Sequence, residues 1–203
     1  MIKALIFDVG GVLVRSGERT SRKKWERRLG LNEWGSENIV FNSEIGNKAQ
    51  LGAISEESLW TWVAGQFDLS PAEFAEFRED FWADNEVDNG LMAMIRNLRP
   101  FYKTAIISNA TETFRIDLTD RYQIADAFDL IVFSAEEKIM KPDPELYLRT
   151  LDRLRNKPSE CIFVDDMEVN VNAAQNLGMQ AIRFTPDIDL AAEFERYGVR
   201  QGG

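Results

Sequence analysis

The sequence contains no histidine and only one cysteine, and both shortages restrict its chemistry. Without histidine, Ser-His-Asp and Cys-His catalysis and histidine-ligated metal sites are excluded. With Cys161 alone, no intrachain disulfide can form, which fits a reducing compartment. Any catalytic group must therefore be Asp, Glu, Lys, Ser, Thr, Tyr, Cys or the peptide backbone.

The chain also lacks an apolar run near the ~20 residues that a membrane span requires, and its start shows no charged leader before an apolar segment. We therefore expect a cytoplasmic protein with no membrane partner. The 203 residues carry a formal net charge of -10, which disfavours nucleic acid as a partner because phosphate backbones bind basic faces. One local site can still bind a small phosphorylated ligand against that field.

Five short runs rich in Ile, Val and Phe have the length of strands, and most stand next to helical patterns. They are ALIFDV (4–9), TAIISN (104–109), DLIVFS (129–134), CIFVDD (161–166) and QAIRF (180–184). Near-continuous apolar strands that alternate with helices predict an α/β fold. We expect a parallel sheet with helices on both faces.

The stretch 16–89 differs from the rest of the chain, because it holds all five tryptophans and no comparable apolar strand. SEESLWTWVAGQF and PAEFAEFREDFW predict helices, the second beginning at a capping box from Ser70 to Glu73. We predict an all-helical insertion at 16–89, with its aromatic side chains as its own core, between core segments 1–15 and 90–203. Asp143-Pro144 predicts a further helix start, and the terminal RQGG a frayed end.

Polar residues stand where the predicted strands end, and parallel sheets bind ligands at that edge. Asp8 follows the first strand, Ser108 and Asn109 end the second, Lys141 precedes the helix after the third, and Asp165-Asp166 end the fourth. Carboxylates and a backbone carbonyl suit Mg²⁺. A lysine and a hydroxyl can hold phosphoryl oxygens, and an aspartate can attack phosphorus to form an aspartyl-phosphate. Glycines after Asp8 bring backbone amides close to such a ligand.

These motifs resemble the haloacid dehalogenase-like hydrolase superfamily, in the subfamily (IA) whose helical C1 cap is inserted after the first strand. The matching stretches are FDVGGVL (7–13), ISN (107–109), KPDPELY (141–147) and FVDDMEVNVNAAQNLGM (163–179), with LGAISEESLW (51–60) in the cap. The resemblance covers nearly the whole chain. It implies a Rossmann-like core whose cap closes over the site, excludes water and selects the substrate.

The resemblance further implies a Mg²⁺-dependent phosphatase of a small phosphorylated metabolite. The sequence leaves open whether it is a monomer or a homodimer. Its catalytic residues would be Asp8 as the nucleophile with Ser108 and Lys141. The metal would be held by Asp8, the backbone carbonyl of Gly10 and Asp166, with Asp165 as a weaker ligand or a group behind the ligands. Phosphate would be bound by Gly11, Ser108, Asn109 and Lys141, and Asn170 would brace the fourth loop.

Gly10 departs from the family pattern, since most phosphatases of this superfamily carry a second Asp there that protonates the leaving group. General acid–base help of this kind is typically worth roughly 10²–10⁴ in rate. Three outcomes follow: substrates with good leaving groups, such as sugar 1-phosphates or acyl phosphates; replacement by Glu18, Glu44 or a metal-bound water; or a protein that only binds a phosphorylated ligand.

Dehalogenation is the other reaction of the superfamily, and it needs no metal. The pair Asp165-Asp166 argues against it, because two carboxylates would repel the substrate's own carboxylate. The basic run from Arg15 to Arg28 is interpreted as a solvated helix face. The alternative is that Arg15 or Arg19 steers an anionic substrate towards the site.

Overall fold

A computed structural model describes residues 1–200, and its centre is a five-stranded sheet in which every neighbouring pair is parallel. The strands of the chain are β1 (Ala4–Phe7), β2 (Val14–Ser16), β3 (Asn85–Val87), β4 (Lys103–Ser108), β5 (Leu130–Phe133), β6 (Cys161–Asp165) and β7 (Gln180–Arg183). The sheet order is β5-β4-β1-β6-β7. All five predicted apolar runs therefore form the sheet, and the α/β fold is confirmed.

The structure has eleven α-helices within residues 1–200. They are α1 (Thr20–Leu29), α2 (Gly35–Val40), α3 (Glu44–Gln50), α4 (Glu56–Ala64), α5 (Pro71–Ala83), α6 (Asn89–Leu98), α7 (Phe114–Ile116), α8 (Ser134–Glu137), α9 (Pro144–Leu154), α10 (Glu168–Asn176) and α11 (Leu190–Arg196). A π-helical turn, Asp117–Arg121, continues α7. None of these helices combines the length and the apolarity that crossing a bilayer demands. The predicted frayed end falls mostly on residues 201–203, outside the described residues.

The two helix starts predicted from the sequence are present. The Asp143 carboxylate accepts the Glu145 backbone N–H at 2.9 Å, with Pro144 as the first helical residue of α9. Ser70 and Glu73 form the capping box of α5, each accepting from the backbone of the other. These bonds satisfy N–H groups that lack a partner at a helix start.

The sheet is covered on both faces because alternate residues of each strand point to opposite sides. Leu5 and Phe7 of β1 belong to one buried apolar cluster, which includes residues of α6 and α11. Ala4 and Ile6 belong to another, which includes residues of α9 and α10. This three-layer arrangement explains why the strands read as continuous apolar runs.

A third apolar cluster lies within the stretch 16–89 and is built on Trp25, Trp60, Phe77 and Phe81, all at most 1% exposed. The stretch is not wholly helical, which corrects the expectation from the sequence. β2 pairs antiparallel with β3, Val14 opposite Val87, and forms a ribbon where the chain leaves and re-enters the core. The β3 residues Asn85, Glu86 and Val87 include one apolar side chain and none that is fully buried, so no apolar run in the sequence predicts β3. The boundaries at 15/16 and 89/90 stay a prediction, which the separate cluster supports.

The basic run from Arg15 to Arg28 is only partly the predicted solvated face. Arg19 and Arg22 are buried, whereas the lysines and arginines at 23, 24, 27 and 28 are exposed. Arg19 donates to Glu37 at 2.7 Å and to Glu26 at 2.8 Å, and its guanidinium stacks 3.6 Å from the Trp34 ring centroid. Arg19 is thus a structural ion-pair partner, so the steering role offered for it is wrong.

Candidate active site

The carboxyl ends of β1, β4 and β6 bring together residues that are more than 150 positions apart in the chain. The register sets Phe7 of β1 beside Val164 of β6, and the Asp8 backbone N–H donates to the Val164 carbonyl at 2.9 Å. Asp8 therefore leaves the sheet level with Asp165, the last residue of β6. Ser108, 5% exposed, ends β4 on the other side of β1.

Lys141 is the buried cation that joins the two acidic positions. Its Nζ lies 2.8 Å from Asp8 Oδ1 and 2.6 Å from Asp165 Oδ2, and its side chain is 1% exposed. Burial alone would lower the pKa of Lys141, but the charges of Asp8 and Asp165 and their hydrogen bonds outweigh it and raise the pKa. Lys141 therefore stays protonated and holds Asp8 in one orientation.

The surroundings of Asp8 change the pKa of its carboxyl group and fix its orientation. Burial raises the pKa of Asp8 to about 6, Lys141 opposes that rise, and the charges of Asp165 and Asp166 add to it. Its Oδ1 also accepts the Val9 backbone N–H at 2.7 Å. The carboxylate is thus fixed, poorly solvated and next to one cation, which are properties of a nucleophile rather than of a surface turn.

The other oxygen positions of Asp165 are also occupied. Oδ1 accepts from the Met167 backbone N–H at 2.8 Å and from the Asn170 amide at 3.0 Å, and the residue is 0% exposed. Tyr147 in turn donates its hydroxyl to the Asn170 carbonyl at 3.2 Å. Asp165 therefore orients Lys141 and the loop after β6, which favours the alternative that placed it behind the metal ligands.

Asp166 completes an acidic cluster whose geometry fits a cation. One carboxylate oxygen from each of Asp8, Asp165 and Asp166 lies within 4.8 Å of the others. Burial, followed by the charge of Asp165, raises the pKa of Asp166. Gly11 has φ +77°, and a Cβ there would overlap Asp166 Oδ2. Only glycine therefore lets the loop approach this carboxylate so closely. The cluster of carboxylate oxygens fits a Mg²⁺ ion, which prefers oxygen ligands.

Asn109 makes structural contacts that the sequence did not predict. Its side-chain amide donates to the Lys141 carbonyl at 3.0 Å, and its Oδ1 accepts the Lys141 backbone N–H at 2.8 Å. The side chain thus ties the end of β4 to the loop that carries Lys141, next to the cis peptide bond between Lys141 and Pro142. A phosphate contact from Asn109 stays a prediction.

Comparison with known proteins decides the family. The model of the haloacid dehalogenase-like hydrolases matches residues 2–178. The chain belongs to this hydrolase family. The predicted family, and with it the prediction of a hydrolase, is confirmed; the cap subfamily is compatible with these matches but is not singled out by them.

Three relatives illustrate where the chain lies in the haloacid dehalogenase-like family. It is 28% identical over 195 residues to a sesquiterpene phosphatase of Aspergillus oryzae, covering 96% of this chain and 95% of that one. It is 31% identical to a phosphorylated carbohydrates phosphatase of Thermotoga maritima over 80 residues, 39% of this chain and 37% of that one. A family enzyme of Bacteroides thetaiotaomicron, solved with magnesium and inorganic phosphate, superposes with a TM-score of 0.78 at 20% identity, over 96% and 100% of the two chains.

Gly10 is exposed, and an added Cβ would meet nothing within 4 Å. The space that the second Asp of other haloacid dehalogenase-like phosphatases would need is therefore open. Of the substitutes offered for that Asp, Glu44 pairs with Lys48 at 2.7 Å and its side chain is 81% exposed, while Glu18 is exposed. A role for either as proton donor stays a prediction.

Several residues that organise the site were missed from the sequence. Tyr147 supports Asn170, and Ser134 and Glu56 join the stretch 16–89 to the loop after Asn109. Tyr147 and Glu56 both lie inside stretches that resemble the family, KPDPELY and LGAISEESLW, so the sequence carried a signal at both positions. Ser134 ends an apolar run and carried none.

Proposed function

We propose that the chain is a Mg²⁺-dependent phosphatase that hydrolyses a small phosphorylated metabolite through an aspartyl-phosphate on Asp8. The observation that carries this proposal is the buried contact of Lys141 with both Asp8 and Asp165, beside Asp166. A fixed nucleophile, a buried cation and an acidic pair at one sheet edge are the parts that phosphoryl transfer requires. The full-length similarity to a named phosphatase supports the same class.

In this reaction an Asp8 carboxylate oxygen attacks phosphorus, an O–P bond forms, and the bond to the leaving oxygen breaks. Lys141 and Ser108 hold the equatorial oxygens, and Lys141 also keeps Asp8 ionised. Water then cleaves the aspartyl-phosphate and returns the Asp8 carboxylate. Asp8, the Gly10 carbonyl and Asp166 would hold the Mg²⁺ ion, which supplies positive charge against the phosphoryl oxygens.

Gly10 limits which leaving groups the substrate can have. A glycine cannot protonate the departing oxygen, so the favoured substrates are those whose leaving group needs little protonation, such as sugar 1-phosphates and acyl phosphates. The same residue favours one other function, a protein that binds a phosphorylated ligand without turning it over. Dehalogenation is disfavoured because Asp165 and Asp166 would repel a substrate carboxylate.

The deciding experiment is a screen of phosphorylated metabolites, including sugar 1-phosphates and acetyl phosphate, with the wild-type chain and Asp8→Asn. We expect turnover that needs Mg²⁺ and that falls at least about 10³-fold in the variant, because the nucleophile is gone. Asp187→Asn, the same change at an exposed aspartate, should leave the rate intact.

Three results would point elsewhere. Equal turnover by the wild type and Asp8→Asn would remove Asp8 as the nucleophile. Hydrolysis of a haloacid that persists in a chelator would indicate dehalogenation. Binding of inorganic phosphate in the presence of Mg²⁺, without turnover across the whole panel, would favour the binding protein.

A further inference from the structure

The segment 110–113, directly after Ser108 and Asn109, is the part of the core that α4 touches through polar side chains. The Glu56 carboxylate accepts from Thr111 Oγ1 at 2.6 Å and also from the Thr113 hydroxyl. In the other direction, the Glu56 backbone N–H donates to Glu112 Oε1 at 2.8 Å. We call Glu56, Thr111 and Thr113 the latch.

The Glu56 side chain is set up for this contact rather than for solvent. It is 15% exposed, and its Oε1 also accepts the Trp60 indole N–H at 3.0 Å, which fixes the carboxylate against the buried aromatic cluster of the cap. Glu57, the next residue of the same turn, is 73% exposed and pairs with Arg78 on the surface. Hydrogen bonds to a charged, poorly solvated acceptor are the stronger kind.

A second contact ends on the same segment. Ser134 donates its hydroxyl to the Gln50 carbonyl at 2.5 Å and accepts the Ala110 backbone N–H at 3.0 Å. Beside it, Lys138 donates to the Gly52 carbonyl at 2.7 Å, and a Cβ at Gly52 would overlap the Ala135 carbonyl oxygen. The stretch from Gln50 to Glu56 therefore lies directly on the core at 110–113 and α8.

Segment 110–113 is in turn connected to the reacting groups. It continues the backbone of Ser108 and Asn109, and the Asn109 side chain holds the backbone of Lys141, whose Nζ contacts Asp8. A shift of α4 away from the core would therefore pull on the peptide that follows the phosphate-holding residues.

We propose that Glu56 is a positioning residue: through Thr111 and Thr113 it couples the seated cap to the phosphate-holding end of β4. This proposal rests on the proposed function for the role of Ser108. When the latch is closed, the Ser108–Asn109 peptide is held where a phosphoryl group would lie. When the latch is open, that peptide loses the contacts that Glu56 makes with Thr111 and Thr113, while the rest of the sheet keeps its hydrogen bonds.

The test compares Glu56→Ala with Glu56→Gln and with the matched control Glu57→Ala. Hydrogen exchange followed by mass spectrometry should show faster exchange at 108–113 in Glu56→Ala only. With p-nitrophenyl phosphate and Mg²⁺, kcat should fall about tenfold in Glu56→Ala, since small misplacements of reacting groups are costly. Glu56→Gln should recover most of that rate, because its amide oxygen still accepts from the two hydroxyls.

Unchanged exchange at 108–113 in Glu56→Ala, or an equal loss of kcat in Glu57→Ala, would overturn the proposal. If the wild type turns over no member of the phosphorylated-metabolite panel, the proposed function fails. The latch is then tested by hydrogen exchange and by calorimetry with inorganic phosphate and Mg²⁺. Faster hydrogen exchange at 108–113 together with weaker phosphate binding in Glu56→Ala would still support the positioning role of Glu56. Wild-type values for both the exchange rate and the phosphate affinity would refute that role.

Discussion

Lys141 shows how much one buried side chain can organise. A buried ion pair is not in itself a large source of stability, because removing charges from water costs as much as their attraction returns. Here the ammonium touches two carboxylates and is 1% exposed, so losing it would leave Asp8 and Asp165 as uncompensated buried charges. Its value lies in fixing where those carboxylates point, which a reaction at phosphorus depends on.

Gly10→Asp tests the departure from the family pattern at the level of one residue. Gly10 has no φ in the left-handed region, and the space around its Cβ position is open, so an aspartate is sterically admissible. We expect faster hydrolysis of phosphate esters with poor leaving groups, such as glycerol phosphate, by up to roughly 10²–10⁴. Acetyl phosphate should gain little. Steady-state rates on the two substrates measure the difference.

Gly17→Asp is the control for this change, since Gly17 is another exposed glycine with open space around it. It adds the same charge near the start of the inserted stretch without placing a carboxylate beside Asp8. No gain for poor leaving groups in Gly10→Asp would mean that the proton already comes from elsewhere or that the new carboxylate does not reach the substrate.

At the scale of elements, helix starts depend on local chemistry, whereas the ribbon of β2 and β3 depends on distant pairing. A capping residue satisfies N–H groups within one turn and is therefore visible in four residues of sequence. β3 exists because Asn85–Val87 meets Val14–Ser16 across about 70 residues. The ribbon lies where the chain passes between the sheet and the stretch 16–89.

Ser70→Ala tests the local side of this contrast. Loss of the capping box should destabilise α5 by about 1 kcal/mol and lower the melting temperature by roughly 2–4 °C. Differential scanning calorimetry measures this shift. Ser159→Ala, at an exposed serine of a short 3₁₀ turn, should leave the melting temperature unchanged. Equal shifts in both variants would show that the box contributes nothing of its own.

At the scale of the whole molecule, the net charge of -10 conceals three buried cations among residues 1–200. Lys141 lies at the candidate site, and Arg19 and Arg22 lie in the stretch 16–89. Within the stretch 16–89, burial alone would raise the pKa of Glu37. Hydrogen bonds from Arg19 and Ser36 and the charge of Arg22 outweigh that effect and lower the pKa to about 2. The unfolded value is near 4.5, so Glu37 stabilises the folded state at neutral pH.

Because the folded pKa of Glu37 is the lower one, its contribution is complete above about pH 5 and declines as the pH falls towards 2. The stability difference between wild type and Glu37→Gln should therefore shrink by on the order of 2 kcal/mol between about pH 6 and about pH 3. Urea unfolding followed by tryptophan fluorescence measures it, since all five tryptophans lie at 16–89. Glu33→Gln, an exposed neighbour, should show a flat difference; a flat difference in Glu37→Gln would contradict the network.

The sequence by itself determined the strands, two helix starts and the polar residues that stand at the ends of the strands. Apolar runs specified the five strands, turn chemistry specified the starts of α5 and α9, and placement after strands identified Asp8, Ser108 and the pair Asp165-Asp166. These follow from short-range physics, since a parallel sheet collects at one edge whatever stands at its strand ends.

Only the tertiary structure decided how those residues divide their work. Asp165 orients Lys141, because hydrogen bonds from the Met167 backbone and the Asn170 amide fix its carboxylate. Arg19 is a buried ion-pair partner of Glu37 rather than a surface charge. Such roles depend on which distant groups share a low-dielectric space, and a linear pattern carries no record of that neighbourhood.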